Sequence, residues 1–136
     1  MSLRVAILGA SGIGYIHARH YIELGSQVVA ILCSTQEKAN SIAEKLLIEY
    51  GITTKPYQSL EDLLNENLDA VSVCTPPHMH IEHIKACFNQ NLAVFCEKPL
   101  FWSDSICYEK VCLELKQLAS HQHRRIFVNT SNTVFI

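Results

Sequence analysis

The sequence lacks the long apolar runs and the charge excess that mark several common classes of protein. No apolar run approaches the roughly 20 residues that a membrane-spanning helix needs. The first apolar run covers only residues 5–8, and no small-residue cleavage site follows it, so no signal peptide is predicted. The formal net charge is −2, which argues against a nucleic-acid or anionic-membrane partner.

The cysteines lack the paired spacing of a metal or redox motif. There are six of them and none forms a C-x-x-C pair: Cys33, Cys74, Cys87, Cys96, Cys107 and Cys112. Most lie inside predicted strands or helices, where cysteine behaves as a small apolar residue. We therefore expect free thiols and a cytoplasmic location.

Apolar strands alternate with helices along all 136 residues, which is a suitable length for one domain. The apolar runs predict strands over 4–8, 27–33, 53–57, 69–74, 92–96 and 125–130. Helical spacing and capping residues predict helices over 13–24, from Ser34 to Tyr50, after Ser59, over 78–91 and after Ser103. This order predicts an α/β fold: a three-layer, doubly wound parallel sheet of the Rossmann type, with strand order 3-2-1-4-5-6.

A glycine-rich turn joins the first strand to the first helix through Gly9, Gly12 and Gly14. Glycine permits positive φ and close approach of a ligand. The following helix offers free N–H groups and its positive dipole end, which suit a pyrophosphate. The G-x-G-x-x-G fingerprint would place glycines at 9, 11 and 14, but position 11 is Ser11. Taken alone, the turn is equally consistent with a plain strand-to-helix connection.

The polar and proline-rich clusters of the chain fall at the carboxyl ends of predicted strands. These clusters are residues 9–14, 33–35, 75–77 and 97–99. In a doubly wound sheet, ligands bind at this edge, where the winding reverses between the first and fourth strands. We expect the four clusters to line one crevice.

Three of these clusters resemble the amino-terminal domain of the glucose–fructose oxidoreductase and inositol dehydrogenase family. They are Gly9-x-Ser11-x-Ile13-Gly14 with His17-Ala18, Thr75-Pro76-Pro77-His78-x-His80, and Cys96-Glu97-Lys98-Pro99-Leu100. The resemblance covers essentially the whole chain. Family members oxidise or reduce sugars, inositols and similar polyols with NAD or NADP, so the resemblance implies an oxidoreductase with a nicotinamide dinucleotide cofactor.

The resemblance also implies roles for individual residues. Lys98 would lie beside the nicotinamide and assist proton transfer at the reacting hydroxyl, which requires a lowered lysine pKa. Glu97 would hold the nicotinamide ribose. The middle of the cofactor would be lined by Thr75, Pro76, Pro77 and His80. The competing interpretation of the Glu97-Lys98 pair is an exposed ion pair before a turn proline.

Two departures from the family pattern concern the cofactor. Ser11 adds a side chain where the pyrophosphate must approach, although its hydroxyl can donate to phosphate. The end of the second strand lacks the acid that binds the ribose hydroxyls in NAD enzymes. Ser34, Thr35 and Lys38 stand there instead and can bind a 2′-phosphate, which favours NADP over NAD. Ser34 can equally serve only as a helix cap.

A third departure concerns domain organisation. Family enzymes carry a second, mostly β domain with most of the substrate pocket, and residues 1–136 cover only the dinucleotide-binding domain. We expect little or no turnover from this chain alone. The alternative function is a stand-alone nucleotide-binding sensor or regulatory module. A missing domain exposes apolar surface, and Val134-Phe135-Ile136 is a candidate strip for homo-oligomer contacts.

Other classes fit less well. A short-chain dehydrogenase needs a Y-x-x-x-K pair, but Cys112 follows Tyr108 at that spacing. A methyltransferase usually has an acid at the end of the second strand. His78, His80 and His83 suggest zinc, but no acid or cysteine completes the set, so no metal is predicted. A redox pair of Cys74 and Cys96 is disfavoured, since buried thiols are usually inert.

Overall fold

The computed structural model describes residues 2–100, 108–121 and 126–128. Its sheet contains β1 (Arg4–Leu8), β2 (Gln27–Leu32), β3 (Lys55–Tyr57), β4 (Ala70–Val73), β5 (Ala93–Cys96) and β6 (Ile126–Val128). The strands are parallel, in the order β3-β2-β1-β4-β5-β6. Both the fold class and the strand order predicted from the sequence are confirmed.

Helices cover the two faces of the sheet. They are α1 (Ile13–Glu23), α2 (Gln36–Tyr50), α3 (Leu60–Leu63), α4 (His80–Asn89) and α5 (Tyr108–His121). One core cluster packs beneath α1 and α2 and includes Val5, Ile7 and Ile31. The other lies on the opposite face and includes Phe88 of α4 and Leu115 of α5. Successive side chains of β1 pack into opposite core clusters, because side chains along a strand alternate between the two faces of the sheet.

Two predicted helix starts are corrected. Thr35, and not Ser34, caps α2, because its hydroxyl accepts the backbone N–H of Lys38 at 3.1 Å. The predicted helix over 78–91 is divided into a 3-10 turn, Pro77–Met79, followed by α4. The preceding proline holds φ −56° and ψ 145°, so the chain is still extended there and begins the helix through a tight turn.

The buried face of α1 is not its most apolar one. Helical spacing predicts Ile13, Ile16 and Leu24 on one apolar, inward face, but they are 45%, 44% and 83% exposed. The buried residues of α1 are Gly14 and Ala18. Small residues face the sheet because α1 starts almost in contact with the turn that follows β1, which leaves no room for a branched side chain.

The sheet face beside α1 carries aromatic side chains on β5 and β6. Phe95 and Phe127 are register partners across these strands. Phe127 is 55% exposed, so the described helices leave this end of the face largely open. A groove of about 440 Å³ runs between α1 and Phe95. This apolar groove is available for a further layer of protein.

Several predictions fall on residues that the structure does not describe: the cap at Ser103, Cys107, and the strip 134–136. Of the cysteines that are described, Cys33, Cys74, Cys87, Cys96 and Cys112 are unpaired thiols. None of the described helices has both the length and the apolar character needed to cross a membrane.

Candidate cofactor site

A cleft of about 740 Å³ opens at the carboxyl ends of β1, β2 and β4. Six of the residues predicted to bind the cofactor line it: Gly9, Ser11, Ser34, Lys38, Thr75 and Pro76. Their strands end side by side because all three are parallel and β1 lies at the centre of the sheet. The winding of the sheet reverses between β1 and β4, which is where doubly wound folds bind ligands.

The turn after β1 lies at the cleft, which Gly9 and Ser11 line, and contains backbone N–H groups without a backbone acceptor among the described residues. The amides of Gly9 and Ala10 donate to the Leu32 carbonyl oxygen at 2.9 and 3.2 Å. In the described part of the chain, no backbone carbonyl accepts from the amides of Ser11, Gly12 or Ile13. These three donors stand at the positive end of α1, an arrangement that binds anions such as a pyrophosphate.

Glycine is required at both ends of this turn. Gly9 has φ +82°, and a Cβ there would lie 2.8 Å from the Cys74 carbonyl carbon. At Gly14 a Cβ would lie 1.8 Å from the Gly9 carbonyl oxygen. Gly12 also has positive φ, at +60°, but its surroundings are open. The exposed Ser11 occupies the one fingerprint position that accepts a side chain in this structure.

The end of β2 supplies a cation and hydroxyl groups. Lys38 Nζ lies 3.5 Å from Ser34 Oγ, and both line the cleft. The Thr35 hydroxyl is used as the cap of α2. Ser34 is therefore not the cap of α2. Among the described residues, Lys38 is the one side chain within hydrogen-bonding range of the Ser34 hydroxyl.

Cys74 and Thr75, which follow β4, form the wall opposite α2, and Cys33 lines the cleft after β2. The Thr75 hydroxyl lies 2.9 Å from Nδ1 of His83, whose pKa is lowered by burial. A neutral imidazole therefore orients this hydroxyl at the cleft wall. Burial raises the pKa of Cys33 and Cys74, so both cleft cysteines stay protonated thiols and lack the reactivity of a redox pair.

His80 joins two loops and is only 1% exposed. Its Nε2 lies 2.6 Å from the Thr75 carbonyl oxygen, and its Nδ1 lies 2.9 Å from the Pro99 carbonyl oxygen. The loop after β4 is thereby tied to the loop after β5. Both ring nitrogens face the backbone, so His80 shapes the cleft from behind its wall.

The remaining predicted residues lie near the cleft but do not line it. Thr35 is in the α2 cap, and Pro77 opens the 3-10 turn. Glu97 is buried at the end of β5, and with Ile13 it lines the groove beside α1. Lys98 is exposed. Among the described residues, no group of three or more His, Cys, Asp or Glu side chains could hold a metal ion.

Several residues at this site are not among those predicted from the sequence. Gln58, Leu60, Met79 and His83 line the cleft. His17 lies 2.6 Å from Glu97. The position of His17, three residues after Gly14 and hence on the same helix face, was the signal available for it. No sequence pattern marks Gln58 or Met79.

The whole described sheet is matched by one family of known proteins. The family model described as oxidoreductase family, NAD-binding Rossmann fold, matches residues 3–130. A 4-carboxy-2-hydroxymuconate-6-semialdehyde dehydrogenase of Sphingobium is 31% identical over 92% of this chain. A myo-inositol 2-dehydrogenase of Thermotoga maritima is 32% identical over 72% of it.

The chain is shorter than these relatives and covers 39% and 28% of their respective lengths. Among solved structures, a myo-inositol 2-dehydrogenase from Lactobacillus plantarum superimposes with a TM-score of 0.77 at 27% identity. That match covers 95% of this chain and 36% of the solved one. The fold agrees with these matches, and the chain belongs to the glucose–fructose oxidoreductase and inositol dehydrogenase family as an NAD-binding Rossmann domain.

Proposed function

We propose that this domain binds NADP(H) in preference to NAD(H) and serves a dehydrogenase that acts on a sugar or polyol-like substrate. The single observation that carries the cofactor preference is the end of β2, where Lys38 and Ser34 line the cleft. No carboxylate is among the cleft-lining residues of the described chain, so nothing there repels a 2′-phosphate. Lysine and serine are a suitable pair for such a group.

The fit of a dinucleotide rests on the turn after β1. The open amides of Ser11, Gly12 and Ile13 would bind the pyrophosphate, and Gly9 and Gly14 allow the close backbone packing that holds this turn. Thr75 and Pro76 would contact the middle of the cofactor from the wall opposite α2. A bound nicotinamide supplies hydride transfer, and the protein supplies binding, orientation and proton handling.

Glu97 and Lys98 follow β5 at the far side of the α1 N-terminus from Lys38. In the proposed assignment Glu97 holds the nicotinamide ribose. Lys98, which is exposed, carries the proton of the reacting hydroxyl as the catalytic residue. In this role Lys98 would be covered by the substrate or by a second domain during the reaction.

The substrate class rests on relatives alone. The Thermotoga maritima and Lactobacillus plantarum relatives are named for myo-inositol, while the Sphingobium relative is named for a semialdehyde. Because these proteins are about three times as long as the matched part, we propose that a second domain completes the substrate pocket. The apolar groove beside α1 supports this proposal, and equally supports a homo-oligomer, since such surface is normally covered.

The experiment is calorimetric titration of the chain with NADPH and with NADH. NADPH is expected to bind about ten-fold more tightly, in line with one lost charge-assisted contact. Lys38→Gln should remove this difference, whereas Lys45→Gln, also on α2, should not. Equal or tighter binding of NADH would overturn the NADP preference.

Failure to bind either nucleotide would overturn the cofactor assignment. An activity assay with myo-inositol and NADP on a longer form of the protein separates the two remaining functions. The dehydrogenase proposal expects negligible turnover from this chain alone. Nucleotide binding that alters capture of a protein partner, without turnover in any longer form of the protein, would instead favour a sensor.

A further inference from the structure

The buried carboxylate of Glu97 is held by a histidine from a distant part of the sequence. His17 Nε2 lies 2.6 Å from Glu97 Oε1, and the two side chains are 11% and 10% exposed. His17 belongs to α1, whereas Glu97 directly follows β5. The contact therefore joins the first helix to the loop that carries Lys98.

The imidazole of His17 is fixed from two further directions. The ring of Phe95 packs edge-on against it, with centroids 5.3 Å apart at 69°. Sγ of Cys74 lies 3.4 Å from its Nδ1. Burial, with the charge of Glu97 as a second cause, raises the pKa of Cys74, so this thiol keeps its proton. Nε2 of His17 donates its hydrogen to Glu97, because an ionised carboxylate only accepts hydrogen bonds.

The position of His17 beside Glu97 follows from the close contact between Gly9 and Gly14 in the turn after β1. Gly14 brings α1 almost against the Gly9 backbone, because a Cβ at Gly14 would lie 1.8 Å from the Gly9 oxygen. His17 follows one helical turn later on the same face. This face looks toward β4 and β5, so the imidazole meets the side chains that end those two strands.

We propose that His17 is a positioning residue that orients the Glu97 carboxylate for the nicotinamide half of the cofactor. This inference rests on the proposed function, in which Glu97 holds the nicotinamide ribose. Cys74 lines the cleft, so the hydrogen bonds from Cys74 through His17 to Glu97 connect the cleft wall with the loop after β5. The adenosine half of the cofactor, which would bind near Ser34 and Lys38, would not depend on these hydrogen bonds.

If His17 positions Glu97, its replacement should weaken binding of the nicotinamide half of the cofactor alone. If His17 has only a general structural role, binding of both halves should weaken. The probes are NADPH and 2′,5′-ADP, which carries only the phosphorylated adenosine half. His17→Phe keeps a ring but removes the donor, and should weaken NADPH binding by about ten-fold. Binding of 2′,5′-ADP should be unchanged. His20→Phe, at an exposed position one turn further along the same helix, is the matched control and should bind both ligands normally.

Two amide variants keep the test valid if His17→Phe folds poorly. His17→Gln places an N–H near the position of Nε2 and should restore NADPH affinity to within about three-fold. His17→Asn places its amide near Nδ1, too far from Glu97, and should behave like His17→Phe. A merely structural role predicts no such difference between the two amides.

A double-mutant cycle with Glu97→Gln shows whether His17 acts through Glu97. In that background, His17→Phe should have little further effect on NADPH binding. Equal losses for NADPH and 2′,5′-ADP, or additive losses in the cycle, would overturn the inference. A wild-type chain that binds neither NADPH nor NADH would overturn the proposed function itself. If it binds NADH alone, the same comparison is made with NADH and ADP.

Discussion

The backbones of Gly9 and Gly14 approach so closely that a Cβ on Gly14 would stand 1.8 Å from the Gly9 carbonyl oxygen. This contact sets the distance between β1 and α1. The turn between the two glycines carries the open amides of Ser11, Gly12 and Ile13, and His17 follows Gly14 by one helical turn. The glycine pair therefore supports the turn and the helix that carry both halves of the proposed cofactor site.

Gly14→Ala is expected to destabilise the domain by about 3 kcal/mol or more, because the added methyl group meets backbone that cannot move aside cheaply. Denaturant unfolding followed by circular dichroism measures this loss. Gly51→Ala is the control. Gly51 has φ +68° but open surroundings, so only backbone strain of about 1 kcal/mol is expected. Equal losses at the two positions would contradict the close contact.

Two single substitutions test whether Thr35 or Ser34 caps α2. Thr35→Ala removes the hydroxyl that accepts the Lys38 amide and should lower the free energy of unfolding by about 1 kcal/mol. Ser34→Ala should leave stability nearly unchanged, because Ser34 does not cap the helix, but it should weaken NADPH binding. The reverse order of stabilities would show that Ser34 is the cap after all.

Stability should fall as pH drops below the ordinary histidine pKa. Burial lowers the pKa of His83 from 6.5 in the folded chain, and the nearby charge of Glu82 and the ring of His80 act in opposite directions on it. Above pH 6.5 both states are neutral at this site. Below it the unfolded chain takes up the proton first, so acid favours unfolding until the folded pKa is passed.

This effect is measured by urea unfolding at several pH values between neutrality and about pH 5, where the unfolded histidine is protonated. His83→Gln keeps a polar partner for Thr75 and cannot take up the proton, so its unfolding free energy should depend less on pH in this window. The exposed His78→Gln should show the wild-type pH dependence. An unaltered profile in His83→Gln would refute the assignment.

Ser11→Asp should separate binding from stability. A carboxylate beside the open amides of the turn repels a pyrophosphate, so affinity for NADPH should fall by about ten-fold or more. The same charge lies near the positive end of α1, so the free energy of unfolding should stay equal or rise by a few tenths of a kcal/mol. Ser41→Asp, exposed on α2, should not affect binding.

The sequence predicted the features that depend on local pattern. The apolar runs of β1, β2 and β4 are continuous because these strands are buried on both faces, and this pattern predicts a parallel sheet. The turn glycines and the prolines after β4 and β5 mark strand ends for steric reasons. For β1 to β5 the predicted strand bounds differ from the structure by at most two residues, since strand ends carry little pattern.

Other predictions failed where local pattern and tertiary packing compete. Ile13, Ile16 and Leu24 share an apolar face, yet the close approach at Gly14 turns the small residues of α1 toward the sheet. Ser34 and Thr35 are both good capping residues, and the path of the chain after β2 selects Thr35. The spacing of residues in the sequence predicts neither the buried face of α1 nor the residue that caps α2.

By itself, the sequence determined the order of the strands, the glycine turn after β1, and the crevice where the winding reverses. These follow from apolar periodicity, glycine stereochemistry and the handedness of crossovers, which are all local or general properties of a chain. Only the tertiary structure decided that His17 meets Glu97 and that His80 ties the loops after β4 and β5 together. Those partners lie 80 and up to 19 residues apart in sequence, and such contacts exist only once the sheet has brought the strand ends to one edge.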